Sequence, residues 1–114
     1  DFSKYAEVII ATDDGSLGCK GTVIDVANEI KAAEKYGVTD IFSCGPMPML
    51  RGVKEYGESR NLPTYISLEE RMACGIGVCL GCVCETKEVN HHSNVKNTRV
   101  CKDGPVFLST EVVI

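Results

Sequence analysis

Cys74, Cys79 and Cys82 stand at C-x4-C-x2-C, and Cys101 follows after eighteen intervening residues. Four thiolates, three from one tight loop and one remote, are a donor set for two neighbouring irons, and this order of spacings is the one that plant-type [2Fe-2S] sites use. Gly75, Gly77 and Gly81 lie between the three clustered cysteines, where missing side chains let the backbone wrap closely and turn N–H groups toward sulfur. An oxidised Fe2S2 core of about +2 against four thiolates leaves about -2 locally, a charge those N–H groups offset.

Other chemistries fit parts of the same pattern. A four-cysteine zinc site would staple the same loop, although zinc ribbons usually place two C-x2-C knuckles on separate hairpins. Cys79-Leu80-Gly81-Cys82 lacks the βαβ context of a thioredoxin-like dithiol. His91 and His92 are adjacent, with no cysteine at either flank, which argues against a Rieske pair and reads as two solvated loop residues. Cys84 competes with Cys101 for the fourth position: if the chain leaves the loop as a strand, Cys82 and Cys84 share a face. Closing all four ligands on one short segment would strain the loop, which favours Cys101. Cys19 and Cys44 read as small buried hydrophobes.

The elements that must position these residues change character near Leu68. Residues 7–11 form a short β-branched run that reads as a buried strand, ended by the turn-forming Thr12-Asp13-Asp14-Gly15-Ser16. Val23, Val26, Ala27, Ile30 and Ala33 fall at helical steps, and Gly37 stops that helix. A second strand fits residues 40–43, and Cys44-Gly45-Pro46 then turns into a helix over residues 48–59 that Gly57 threatens to end early. A third strand fits residues 64–67. Strands alternating with helices predict an α/β fold with a partial parallel sheet and flanking helices. Three strands are few for a doubly wound sheet, so the first half of the sheet is expected to be missing. Residues 68–114 are rich in glycine, cysteine and polar side chains, include a strand-like run at 98–101, and need something besides hydrophobic burial to hold them. The division is thus 1–67, an α/β unit, and 68–114, a cysteine-rich unit with the donors for a cluster.

The whole chain has 114 residues, of which 44% are hydrophobic and 25% charged, which excludes disordered, collagen-like and coiled-coil classes. A net charge of -4 with scattered lysines and arginines argues against nucleic acid as partner. Seven cysteines cannot all pair within one chain. With no leader-like opening and no apolar run of about 18–20 residues, the sequence predicts a cytoplasmic chain with reduced thiols and no membrane span. It starts at Asp1 and enters a strand-like run at once, as a piece of a longer polypeptide would.

The residues around the cysteines carry a specific likeness. Leu68-Glu69-Glu70-Arg71-Met72-Ala73-Cys74-Gly75-Ile76-Gly77, then Cys79 and Cys82, then Val100-Cys101-Lys102-Asp103-Gly104-Pro105-Val106-Phe107 resemble the electron-transfer subunit of NAD-dependent (class 1B) dihydroorotate dehydrogenase. Ala11-Thr12-Asp13-Asp14-Gly15-Ser16 with Gly18 and Gly21, and Cys44-Gly45-Pro46 with Met49 and Leu50, are similar to its nicotinamide-binding half, which is ferredoxin-reductase-like. The resemblance covers essentially the whole chain but only the carboxyl-terminal part of such a subunit. The flavin-binding barrel and the start of the dinucleotide domain are not visible, and Gly15, Gly18 and Gly21 do not make G-x-G-x-x-G.

The resemblance implies a relay. Dihydroorotate is oxidised at FMN in a partner catalytic subunit, electrons pass singly through a [2Fe-2S] cluster held by Cys74, Cys79, Cys82 and Cys101 to FAD, and FAD reduces NAD+. It places Cys44, Gly45 and Pro46 beside the nicotinamide, at the carboxyl end of a strand where such ligands bind. The Thr12–Ser16 loop is expected near the same cleft, and Ile76 and Val78 are expected to face the partner. No residue is assigned as acid, base or nucleophile, and the chain alone is expected to be inactive. Two rivals are another flavin and iron–sulfur NAD(P)H reductase subunit, and a zinc-stapled interaction module.

Overall fold

The computed structural model describes residues 2–71, 73–76, 78–79, 81–87 and 97–114. Gly77, His91 and His92 lie outside the described residues, as do the expectations attached to them. The chain divides into two compact units, Asp1–Val38 and Thr39–Ile114.

In the first unit a 3-10 turn, Phe2–Lys4, precedes strand β1 (Ala11–Thr12), which pairs in parallel with β2 (Cys19–Lys20). The expected strand over 7–11 is therefore only its last residue and the one beyond. Val8, Ile9 and Ile10 are exposed, because a strand needs a neighbour along its length and β2 supplies two residues of one. Helix α1 (Val23–Glu29) starts from a reciprocal cap: the Asp25 N–H donates to Thr22 Oγ1 at 3.2 Å, and the Thr22 N–H donates to Asp25 Oδ2 at 2.9 Å. The single helix expected up to Gly37 is instead two. Lys31 takes the left-handed φ of 50° and separates α1 from α2 (Ala32–Lys35).

The second unit contains every candidate ligand. Strand β3 (Ile41–Cys44), helix α3 (Met47–Ser59) and strand β4 (Thr64–Ser67) form a right-length βαβ unit, with β3 and β4 parallel and Ile41 opposite Thr64. Gly57 does not end α3. The helix lies so close to β4 that a Cβ on Gly57 would overlap Thr64 Oγ1, so the glycine is a packing requirement. Leu50, Val53 and Tyr56 bury the inner face of α3.

Strand β5 (Val83–Glu85) pairs antiparallel with β6 (Asn97–Arg99), and helix α4 (Val100–Asp103) follows directly. The strand expected over 98–101 thus stops at Arg99, and Cys101 sits on a helical turn. Strand β7 (Val106–Leu108), which periodicity did not reveal, joins β4 antiparallel and completes the order β3-β4-β7. Compactness and composition divide the chain at different places, since Cys82, Val100, Phe107 and Val112 share one core with Leu50, Ile66 and Leu68. Burial therefore supplies much of the cohesion that composition led one to seek elsewhere.

Candidate metal centre

Cys74 opens the cysteine loop. Its Sγ accepts the Ile76 N–H at 3.5 Å, and Gly75 between them takes a φ of 70°, a left-handed turn that favours glycine. The backbone N–H of Cys79, then that of Ile76, and then the Cys79 side chain bring the Cys74 thiol down from 9.0 to about 6. It is a thiolate at neutral pH, the form in which cysteine binds metal. At Gly81 the position a Cβ would take is 3.5 Å from Cys79 Sγ, an ordinary contact, so closeness alone does not demand glycine there.

Cys82 enters β5 from inside the core and is 1% exposed. Its carbonyl accepts the Val100 N–H at 2.9 Å, and its Sγ accepts the Cys101 N–H at 3.4 Å. Hydrogen bonds of this kind offset thiolate charge in iron–sulfur sites. The structure thus brings the four sequence-predicted ligands together as two pairs, Cys74 with Cys79 and Cys82 with Cys101. Among the described residues no group of three or more His, Cys, Asp or Glu side chains converges on one point. The donor set itself, a thiolate at neutral pH and backbone N–H groups already on two sulfurs, fits an iron–sulfur cluster.

Cys84 does lie on a strand, as the rivalry with Cys101 required. Burial, then the charges of Glu70 and Cys82, push its thiol up, so it is held neutral. Asp103 and Thr98 were missed by sequence reasoning. Asp103 Oδ2 accepts the Thr98 hydroxyl at 2.6 Å and the Arg99 N–H at 2.9 Å, and these bonds, the hydroxyl first, hold its carboxyl below the usual range. The available signal was an aspartate two residues beyond the candidate ligand Cys101 and just before Gly104-Pro105, where a short acceptor readily bonds the backbone.

Cys44, Gly45 and Pro46 stand together at the carboxyl end of β3, where Pro46 caps α3. Cys44 is exposed and Cys19 half-buried, so the expectation of two buried hydrophobes fails for both; at the end of a strand the side chain has left the core. The Cys44 thiol donates to Glu69 Oε1 at 3.8 Å. A cavity of about 270 Å³ adjoins it, lined by Phe42, Cys44, Tyr65, Ser67 and Val106. The Phe42 and Tyr65 rings, opposite each other across β3 and β4, stack there with centroids 4.9 Å apart. The Thr12–Ser16 loop belongs to the first unit, where Thr12 Oγ1 donates to the Leu17 carbonyl and the Ser16 N–H donates to Asp14 Oδ1, each at 2.9 Å. Ile76 and Val78 are 70% and 77% exposed. No helix among the described residues is long and apolar enough to cross a membrane.

These features describe an α/β chain with a cysteine-rich unit whose donor set fits an iron–sulfur cluster. A solved NADH-dependent reduced ferredoxin-NADP oxidoreductase shares the fold, with a TM-score of 0.69 over 92% of this chain and 34% of that one at 24% identity. Residues 69–113 match the model of the family described as the iron–sulfur cluster binding domain of dihydroorotate dehydrogenase B. Over its length the chain is similar to proteins named dihydroorotate dehydrogenase B (NAD(+)), electron transfer subunit. The relative from Fusobacterium nucleatum subsp. nucleatum is 45% identical over 100% of this chain and 41% of its own length. That from Caldanaerobacter subterraneus subsp. tengcongensis is 45% identical over 98% and 42%. That from Listeria monocytogenes serotype 4b is 47% identical over 98% and 40%. The resemblance carried by the sequence, to the electron-transfer subunit of class 1B dihydroorotate dehydrogenase, is borne out. The chain spans about two-fifths of the length of the curated relatives it matches.

Proposed function

We propose that the chain is the cluster-bearing part of an electron-transfer subunit that links an FMN-containing dihydroorotate dehydrogenase catalytic subunit to FAD and NAD+ in pyrimidine biosynthesis. Cys74, Cys79, Cys82 and Cys101 are its ligands. When bound, a [2Fe-2S] cluster accepts and donates one electron at a time, which joins two flavins that lie in different subunits. The observation that carries this reading is the pair of preformed N–H···S contacts, Ile76 on Cys74 and Cys101 on Cys82. The Cys101 N–H donated to Cys82 Sγ supports Cys101 as the fourth ligand.

The remaining assignments follow from the same reading. Residues 1–67 form part of the nicotinamide-binding domain and residues 68–114 the cluster unit. Cys44, Gly45 and Pro46 lie beside the nicotinamide, a role supported by the aromatic-walled cavity at the end of β3. Ile76 and Val78 dock the catalytic subunit and keep water from the electron path, supported by their exposure. The protein works in the cytoplasm, and this stretch alone does not oxidise dihydroorotate, since the FMN at which that substrate reacts belongs to the catalytic subunit.

The test is iron and acid-labile sulfide analysis with EPR of the dithionite-reduced full-length subunit. Wild type and Cys84→Ser are expected to show about two irons per chain and a rhombic signal, and Cys74→Ser and Cys101→Ser to lose both. A colourless wild type with one zinc, or retention of the native signal in Cys74→Ser, refutes the assignment.

A further inference from the structure

We propose that Thr98 and Asp103 form a clamp that aims the Cys101 N–H at Cys82 Sγ, which makes both positioning residues for the iron–sulfur site. The inference rests on the ligand reading above. Its basis is the way β6 ends. The ladder with β5 continues one step past Arg99, where the Val100 N–H donates to the Cys82 carbonyl at 2.9 Å, and then the chain turns. The next N–H, that of Cys101, reaches Cys82 Sγ at 3.4 Å in place of another strand partner.

A helix as short as α4 does not hold itself, because one turn fixes several backbone dihedrals for very few hydrogen bonds. Its own closing bond is the Gly104 N–H to the Val100 carbonyl at 3.2 Å. The side chain of Asp103, the last residue of α4, adds a second closure. One oxygen, Oδ2, accepts both the Thr98 hydroxyl at 2.6 Å and the Arg99 N–H at 2.9 Å, tying the end of the turn back to the strand that precedes it. Thr98 is buried and Val100 is fully so; one side of the clamp is therefore anchored in packed structure. Cys101, between them, has little freedom to redirect its N–H.

An N–H donated to a ligand sulfur favours the more negative, reduced state and raises the reduction potential. Releasing the clamp without changing charge should therefore lower it. The test is an EPR-monitored redox titration of the full-length subunit. Thr98→Val removes the hydroxyl at nearly constant volume, and Asp103→Glu keeps the charge but moves the acceptor. Both are expected to shift the midpoint to more negative potential with two irons per chain retained, and Thr98→Ser is expected to restore the wild-type midpoint. If Thr98→Val does not fold, the exposed Asp103→Glu and the Thr98→Ser control still decide. Midpoints and g-values unmoved in the variants, against a normal wild-type signal, overturn the clamp alone. A wild type without a reducible [2Fe-2S] signal overturns the underlying reading and the clamp with it.

Discussion

Replacing Gly57 by alanine places two effects of known sign against each other. Within a helix interior alanine is favoured over glycine by about 1 kcal/mol, so α3 on its own would gain. Against β4 the added methyl would overlap Thr64 Oγ1 and come within 3.1 Å of Thr64 Cβ and 3.4 Å of Ile41 Cδ1. Thr64 cannot swing aside, since it is 2% exposed and its hydroxyl donates to the Leu62 carbonyl at 3.0 Å. Overpacking of this kind costs about 1–3 kcal/mol, so Gly57→Ala should destabilise by up to about 2 kcal/mol after the helix gain is subtracted. Thr64→Ala removes the obstructing oxygen and the Leu62 bond, at an expense of its own of about 1 kcal/mol or more. In that background the overlap with the oxygen is gone and only the 3.1 Å approach to the Cβ at position 64 remains, so the cost of Gly57→Ala should fall by about 1 kcal/mol or more. Urea unfolding of all four combinations, followed by circular dichroism, measures the coupling. Equal effects of Gly57→Ala in the two backgrounds would refute the close approach of α3 to β4.

The thiols make a second contrast in the cluster-free chain. Because the Cys74 thiol titrates near 6, its thiolate persists as pH falls from 9 to about 6 and is lost below that, whereas the raised Cys84 stays protonated to above 9.0. Iodoacetamide mapping by mass spectrometry should find Cys74 labelled at pH 7 and Cys84 spared; equal labelling would contradict the hydrogen bonds drawn to Cys74. Ile76→Asp with Val78→Asp should leave the EPR signal of the full-length subunit in place and weaken its association with the catalytic subunit about tenfold or more, read by calorimetry. Unchanged affinity would remove these residues from the docking surface.

Much of the local structure was legible because it depends on near neighbours. The βαβ unit of β3, α3 and β4 follows from short-range periodicity and from the turn at Cys44-Gly45-Pro46, and β4 falls where the pattern placed it. The cysteine spacing was legible for a different reason: it records the chemistry of a donor set, independent of the path between donors. What only the tertiary structure decided concerns long-range partners. Residues 7–10 have strand composition but lie outside the two-residue ladder of β1 with β2, whose nearest extension is the Cys19 N–H to the Ile10 carbonyl at 2.8 Å, and β7 becomes a strand because β4 offers it an edge. Strand composition carries Cys101 onward from Thr98, yet helix α4 begins at Val100, whose N–H is held by the distant Cys82 carbonyl. Cys44 has a hydrophobe's composition and an exposed position, because burial depends on where a strand ends relative to the core. Residue types settle what chemistry is possible here, and the packing of elements distant in the chain settles which backbone N–H meets which sulfur.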